Sequence, residues 1–156
     1  MTWRGRSDIL EEDINETTHG YEQENGRTMK QHIRLLIADD SHRSRGGLHA
    51  LLATLRTEEH QDEARPEVEV VAEAADGREA VRMVEQFRPD VVLMDARMPA
   101  MDGLEATRLI KNKWPEVKLV MLTVYRAFRT EALAAGADAF LVKGCPPEHL
   151  LEAILS

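Results

Sequence analysis

Four apolar residues, Val91-Val92-Leu93-Met94, run without a break into a single carboxylate, Asp95. The run is too short for a helix, and turn residues bound it: Arg88-Pro89-Asp90 before, Arg97-Met98-Pro99-Ala100-Met101-Asp102-Gly103 after. A strand with one wet face alternates apolar and polar residues. An unbroken run predicts a strand buried on both faces, as inside a parallel sheet. Asp95 then stands where a buried strand surfaces. A charge there is paired, metal-bound or chemically used, because burying it alone is costly. The alternative is an aspartate that only caps the following turn.

The rest of the chain repeats the pattern. Short apolar runs fall at Ile33–Ala38, Val68–Ala72, Val117–Leu122 and Ala139–Val142. Between them, apolar residues recur at helical spacing: Leu48, Leu51, Leu52 and Leu55; Val81, Val84 and Phe87; Ala106, Leu109 and Ile110; Phe128, Ala132 and Ala135. A last helix carries Leu150, Leu151, Ile154 and Leu155, with Pro146-Pro147 suited to its first turn. Asp76-Gly77 and Asp102-Gly103 read as turns, Gly136 as a helix stop, and Thr57 to Pro66 as a polar loop. Trp114 reads as closing a helix end. Five strands alternating with five helices predict an α/β fold with right-handed crossovers. At this length it is an open, doubly wound, five-stranded parallel sheet of flavodoxin-like architecture, since a barrel of eight units needs a longer chain.

The 156 residues suffice for one domain with a proper core. Residues 1–30 differ from the remainder. Trp3, Ile9, Leu10, Ile14 and Tyr21 form no sustained period there, so the segment reads as a flexible extension, with at most a short helix over Asp8 to Asn15. Met29 lies just before the first strand and is a candidate for the true start. The compact domain is expected over residues 31–156. A net charge of -8 argues against direct nucleic-acid binding by this chain. One cysteine, Cys145, excludes a disulfide framework and a cysteine-built metal site. It reads as a loop residue near the mouth of the site. The six histidines show no ligand spacing. No apolar run has membrane-spanning length and no signal core opens the chain, so a cytoplasmic protein without membrane contact is expected.

Four of the five expected strands end in a reactive group: Asp39-Asp40, Asp95, Thr123 and Lys143. In open parallel sheets ligands bind beyond the strands' carboxyl ends, where the strand order reverses. In the order 2-1-3-4-5 the first and third strands are neighbours, so Asp39, Asp40 and Asp95 converge. Three carboxylates together call for a cation, and hard oxygen donors with room for water suit Mg²⁺. A carboxylate of Asp95 left partly free can attack phosphorus to give an aspartyl phosphate. Lys143 and the Thr123 hydroxyl would then compensate the phosphoryl charge. Taken singly, Asp39-Asp40 reads as a solvated loop at a helix N-terminus, Lys143 as a surface charge and Thr123 as a β-branched strand end.

Ile37-Ala38-Asp39-Asp40, Leu93-Met94-Asp95-Ala96-Arg97-Met98-Pro99-Ala100-Met101-Asp102-Gly103, Met121-Leu122-Thr123 and Phe140-Leu141-Val142-Lys143-Gly144 stand in the order and spacing of one family. Over about Lys30 to Ser156 the sequence resembles the receiver domain of two-component response regulators, most closely those that precede a LuxR/NarL-type DNA-binding domain. The resemblance implies that Asp95 accepts phosphate from a sensor histidine kinase. It implies Mg²⁺ held directly by Asp40, Asp95 and the Arg97 backbone carbonyl, with Asp39 acting largely through water. Thr123 and Lys143 would contact the phosphoryl group, and Phe140 would be the switch aromatic that follows Thr123 inward. The face of the fourth helix, last strand and last helix would change as a result. Such a protein is not an enzyme beyond phosphorylating and dephosphorylating its own aspartate.

The sequence departs from the family in places. Gly144 replaces a common proline that forms a cis peptide, so no cis bond is expected. Val124 is larger than the usual small residue. Arg97 and Tyr125 occupy two positions that tune hydrolysis; both are bulky and would obstruct the attacking water, which predicts slow loss of phosphate. Several functions compete. One is a receiver acting through a downstream protein partner or as a relay, with a phosphorylation-dependent homodimer as one form of it. Another is the receiver part of a DNA-binding transcriptional regulator cut at Ser156. A flavodoxin-like binding module would need a Gly- and Ser/Thr-rich phosphate loop where Asp39-Asp40 stands. A degenerate receiver that takes no phosphate would not need all five site residues intact.

Overall fold

The computed structural model describes residues 21–24, 27–30, 32–57 and 66–156. The chain divides between residues 31 and 32 into two compact units. In the first, Tyr21–Glu24 pairs antiparallel with Arg27–Lys30, a short hairpin that the sequence pattern had not suggested. The helix expected over Asp8–Asn15 and nearly all of the loop expected over Thr57–Pro66 lie outside the described residues.

The second unit alternates strand and helix: β1 (His32–Ala38), α1 (His42–Thr57), β2 (Glu67–Ala74), α2 (Gly77–Phe87), β3 (Val91–Met94), α3 (Gly103–Lys113), β4 (Lys118–Thr123), α4 (Arg129–Ala134), β5 (Ala139–Val142) and α5 (Pro147–Leu155). The sheet is parallel and ordered β2-β1-β3-β4-β5. This is the open doubly wound fold expected from the strand runs.

Burial explains the unbroken runs. All four residues of β3 are buried, as are the last four of β1 and the last five of β4. Alternate side chains feed two cores. Leu36, Ala38, Val92, Met94, Leu119 and Met121 pack with Ala80 and Val84 of α2 and Ala106 and Ile110 of α3. Ile33, Leu35, Ile37, Val91, Leu93, Val120 and Leu122 pack on the other face with Leu52 of α1 and Leu150 and Ile154 of α5. The edge strands β2 and β5 are mostly half-buried or exposed, as one covered flank allows.

Two local readings change. Asp76-Gly77 and Asp102-Gly103 are helix starts rather than free turns. The Asp76 carboxylate accepts from Glu79 N–H and the Asp102 carboxylate from Glu105 N–H, each at 2.8 Å. The repeated Asp-Gly-x-Glu is the N-cap pattern, with the acidic third residue favoured at a helix N-terminus. The fourth helix is shorter than its apolar stripe suggests. A 3₁₀ turn, Arg126–Phe128, takes the first apolar position, and six α-helical residues follow. Gly136, at φ +105, closes the element. Trp114 does close α3: it is the C-cap residue and is buried.

Gly103 is the tightest backbone approach near the end of β3. Its N–H donates to Ala96 O at 2.8 Å, and a Cβ there would stand 1.8 Å from the Asp95 carbonyl oxygen. Backbone cannot yield as a side chain can. Gly103→Ala is therefore expected to lower unfolding stability by roughly 3 kcal/mol, the upper part of the range for overpacking. Urea unfolding of the two proteins checks this, and a loss within experimental error of zero would show that the 95–103 loop is soft.

Candidate functional site

The sheet's ladder continues one residue past its strands and carries the site with it. Asp39 N–H donates to Ala74 O at 2.9 Å, Asp95 N–H to Ala38 O at 2.9 Å, and Lys143 N–H to Thr123 O at 2.9 Å. The reactive side chains thus stand on hydrogen-bonded backbone at the sheet's carboxyl edge. Between β1 and β3, the two neighbours at the reversal of strand order, Asp39, Asp40 and Asp95 present carboxylate oxygens all within 4.8 Å of one another.

Asp39 is only 2 % exposed and Asp95 8 %, while Asp40 opens to solvent. Two buried carboxylates need compensation, and Lys143 supplies it. Its Nζ donates to Asp39 Oδ2 at 2.6 Å and to Asp95 Oδ2 at 2.8 Å, with Ser44 Oγ farther off at 3.4 Å. Burial pulls the Lys143 pKa down. The hydrogen bonds to Asp39 and Asp95 and the charges of both outweigh it, and the net shift is upward. The lysine is an ammonium at neutral pH.

The remaining oxygens differ. Asp39 Oδ1 accepts from Ser41 N–H at 2.9 Å, so both oxygens of Asp39 are engaged. Asp95 Oδ1 accepts only a long 3.4 Å bond from Arg97 N–H. Asp40 has no hydrogen-bond partner among the described residues. This donor set fits a small hard divalent cation: carboxylate oxygens with spare lone pairs on Asp40 and Asp95, an open side for water, and no nitrogen or sulfur.

Other expected residues stand around this cluster. The Thr123 side chain is buried, and its Oγ1 accepts from Tyr125 N–H at 3.4 Å rather than meeting the carboxylates. Phe140 is half-buried and packs against the core shared by α2 and α3. Arg97 and Tyr125 are exposed and stack on each other. Gly144 takes φ +93, a conformation closed to proline, and no peptide bond among the described residues is cis. Cys145 is half-buried and helps to line a cavity of about 210 Å³ with Lys143 and Leu48.

Sequence reasoning missed three contributors. Ser44 and Arg45 come from the start of α1; the Arg45 guanidinium donates to Asp39 O at 2.6 Å. The signal was the position of both residues, one helical turn after the acidic pair. Phe128 lies beside Tyr125, with ring centroids 5.7 Å apart in an edge-to-face pair, and Arg97 lies over it as well. No spacing in the chain indicates that contact.

Residues 35–155 match the response regulator receiver domain family. The chain is 40% identical over 122 residues to the uncharacterized transcriptional regulatory protein YhcZ of Bacillus subtilis, covering 77% of this chain and 52% of that protein. It is 36% identical over 132 residues to the transcriptional regulatory protein DegU of Brevibacillus brevis, covering 83% of this chain and 52% of DegU. The chain therefore spans about half the length of these relatives. Among solved structures, it is similar to a LuxR-family two-component response regulator from Aurantimonas (TM-score 0.66, 35% identity, 78% of this chain and 81% of that one). It is also similar to the signal receiver domain of NarL from Mycobacterium tuberculosis (TM-score 0.69, 28% identity, 80% of this chain and 94% of that one). No helix among the described residues is long and apolar enough to cross a membrane.

Removing Lys143 leaves two buried carboxylates facing each other. Lys143→Met is expected to cost roughly 2 kcal/mol, less than for a fully buried pair because the lysine is partly exposed. A lysine whose pKa is higher folded than unfolded contributes stability below its unfolded value, and the contribution fades as pH rises through the folded one. The gap between the two proteins should stay level from about pH 7 to about pH 9 and narrow only above the ordinary lysine value of 10.5. Denaturant titrations at several pH values check it; a gap already closed between about pH 7 and about pH 9 would contradict the assignment.

Proposed function

The chain belongs to the response regulator receiver family, and from that premise we propose that Asp95 is the phosphoacceptor of a two-component signalling system. The observation that carries the reading is the ammonium of Lys143 bridging Asp39 Oδ2 and Asp95 Oδ2 at the sheet's carboxyl edge. It holds the carboxylate to be phosphorylated in one orientation and stands ready to neutralise what is added to it.

The Asp95 carboxylate attacks phosphorus on a donor phosphohistidine, the P–N bond breaks, and the imidazole leaves with its electron pair. The incoming group adds anionic oxygens to an already acidic site. Lys143 can follow them, because it sits on Asp95 already. Asp40, Asp95 and the Arg97 backbone carbonyl would hold Mg²⁺, with Asp39 behind a water; both Asp39 oxygens being engaged supports that division. Bound there, Mg²⁺ would supply charge compensation to the phosphoryl oxygens.

The Thr123 hydroxyl is held by the Tyr125 N–H by one long bond. It can turn toward a phosphoryl oxygen and draw β4's end inward, with Phe140 following and the face of α4, β5 and α5 changing as the output. The protein acts on its own aspartate and turns over no separate substrate. A histidine kinase is the partner this chemistry calls for, with the remodelled face meeting a downstream protein or forming a homodimer. The names of the longer relatives favour a second reading, in which the same switch serves a regulator of transcription. The coding sequence flanking residues 1–156 separates these outputs.

Acetyl phosphate with Mg²⁺ should add one phosphoryl group to the intact mass of the wild type. The gain should vanish in Asp95→Asn and with EDTA. No gain in wild type, together with no response to beryllofluoride, would leave the fold as a scaffold and end the reading. Once phosphorylated, Arg97→Ala and Tyr125→Ala should lose the group several-fold faster than wild type, since each removes bulk from the path of the attacking water. Equal or longer lifetimes in the variants would remove both residues from hydrolysis control.

A further inference from the structure

Arg97 makes no ion pair among the described residues. Its guanidinium carbon lies 5.2 Å from the Phe128 ring centroid and 5.8 Å from that of Tyr125. The two rings brace each other edge to face. The ends of this clamp are anchored at the site. The Arg97 backbone N–H donates to Asp95 Oδ1, and the Tyr125 N–H donates to Thr123 Oγ1. The clamp therefore ties the loop after Asp95 to the loop after Thr123, each at two residues beyond the reactive group.

We propose that Arg97 is a second cationic ligand of the phosphoryl group on Asp95, held in reserve by Tyr125 and Phe128. This rests on Asp95 being the phosphoacceptor. In the resting protein the Asp95 carboxylate already has Lys143, so Arg97 gains little by leaving the rings. Phosphorylation adds charge and three acceptor oxygens, each able to accept more than one bond, so a donor can be taken on besides Lys143, the Thr123 hydroxyl and a Mg²⁺ ion. A guanidinium offers paired donors to such a group, and charge-assisted bidentate bonds to phosphate exceed an exposed cation–π contact. The side chain starts from a peptide already bonded to Asp95, so the move is a rotation about its own stem.

The transfer has a mechanical consequence. The segment Arg126–Ala134 is a 3₁₀ turn followed by six helical residues, and Ala132 is its one fully buried side chain. Few contacts fix such a segment. Taking Arg97 off Phe128 and Tyr125 removes one of them, so ligand capture at Asp95 loosens the start of α4 without any message through the sheet.

Calorimetric titration of the full chain with beryllofluoride and Mg²⁺ tests this through a sign reversal. Arg97→Met should weaken binding by about ten-fold, and Phe128→Leu should tighten it by about three-fold, because the rings no longer compete for the guanidinium. In Arg97→Met/Phe128→Leu the gain from losing Phe128 should be absent. Tyr125→Leu, at an exposed position, repeats the test without touching the core. An equal effect of Phe128→Leu in both backgrounds, or wild-type affinity in Arg97→Met, would overturn the proposal. Absence of binding in every protein, wild type included, would overturn the phosphoacceptor reading beneath it. Amide hydrogen exchange without metal or beryllofluoride gives an independent readout: residues 126–134 should exchange faster in Arg97→Met and in Tyr125→Leu. Unchanged exchange in both would show that the clamp tethers nothing.

Discussion

The Lys143 ammonium between Asp39 and Asp95 is the contact on which the rest of this structure depends. A parallel sheet whose first and third strands are neighbours brings both carboxylates to one edge. Two like charges about 4 Å apart repel by roughly 4 kcal/mol at an effective dielectric of about 20. Asp39 and Asp95 are too buried for water to absorb that repulsion. The compensating cation comes from the far edge strand, across β4, on the long side chain of Lys143. The two acids fix where β1 and β3 must meet, and the lysine fixes where β5 must end.

Compensation by lysine, rather than arginine or a well-packed apolar group, has a chemical reason. An ammonium is a point charge with three rotatable donors. It can hold two carboxylates at once and keep one of them when the other acquires a new substituent. The core beneath would provide the rigidity that the proposed exchange needs. β3 and the distal halves of β1 and β4 are buried on both faces, so their ends move little while the charge above them changes.

Most of the fold was legible because buried parallel strands leave unbroken apolar runs, and the meeting of Asp39, Asp40 and Asp95 was legible because two neighbouring runs end in those carboxylates. The less legible parts share a physical cause. Asp76-Gly77 and Asp102-Gly103 read as turns because Asp-Gly is a strong turn signal; the Glu three residues after each Asp marks the cap instead. The Tyr21–Glu24 and Arg27–Lys30 pairing is a backbone ladder, which polar sequences can form without an apolar period. The stripe Phe128, Ala132, Ala135 has helical spacing, yet a 3₁₀ turn takes its first position. The contact of Arg97 with Tyr125 and Phe128 joins residues from separate loops, and loop proximity has no periodicity to betray it.

The contrast between these regions bears on where a switch can reside. One charged group added to Asp95 brings a few kcal/mol of new interaction at most, a small sum against the burial of two cores. It can redirect only an element that is weakly held. The run from Val124 to Ala134 meets that condition: Val124, Tyr125 and Leu133 are exposed, and the helix is under two turns long. Its attachment points to the site are the long Tyr125–Thr123 bond, from an exposed residue to a buried one, and the Arg97 stack on Tyr125 and Phe128. Rigid strands that present the carboxylates and a lightly held loop beside them are two halves of one requirement. With Asp95 as the proposed phosphoacceptor, the first would keep the chemistry aligned, and the second would let a local charge change become a change of surface.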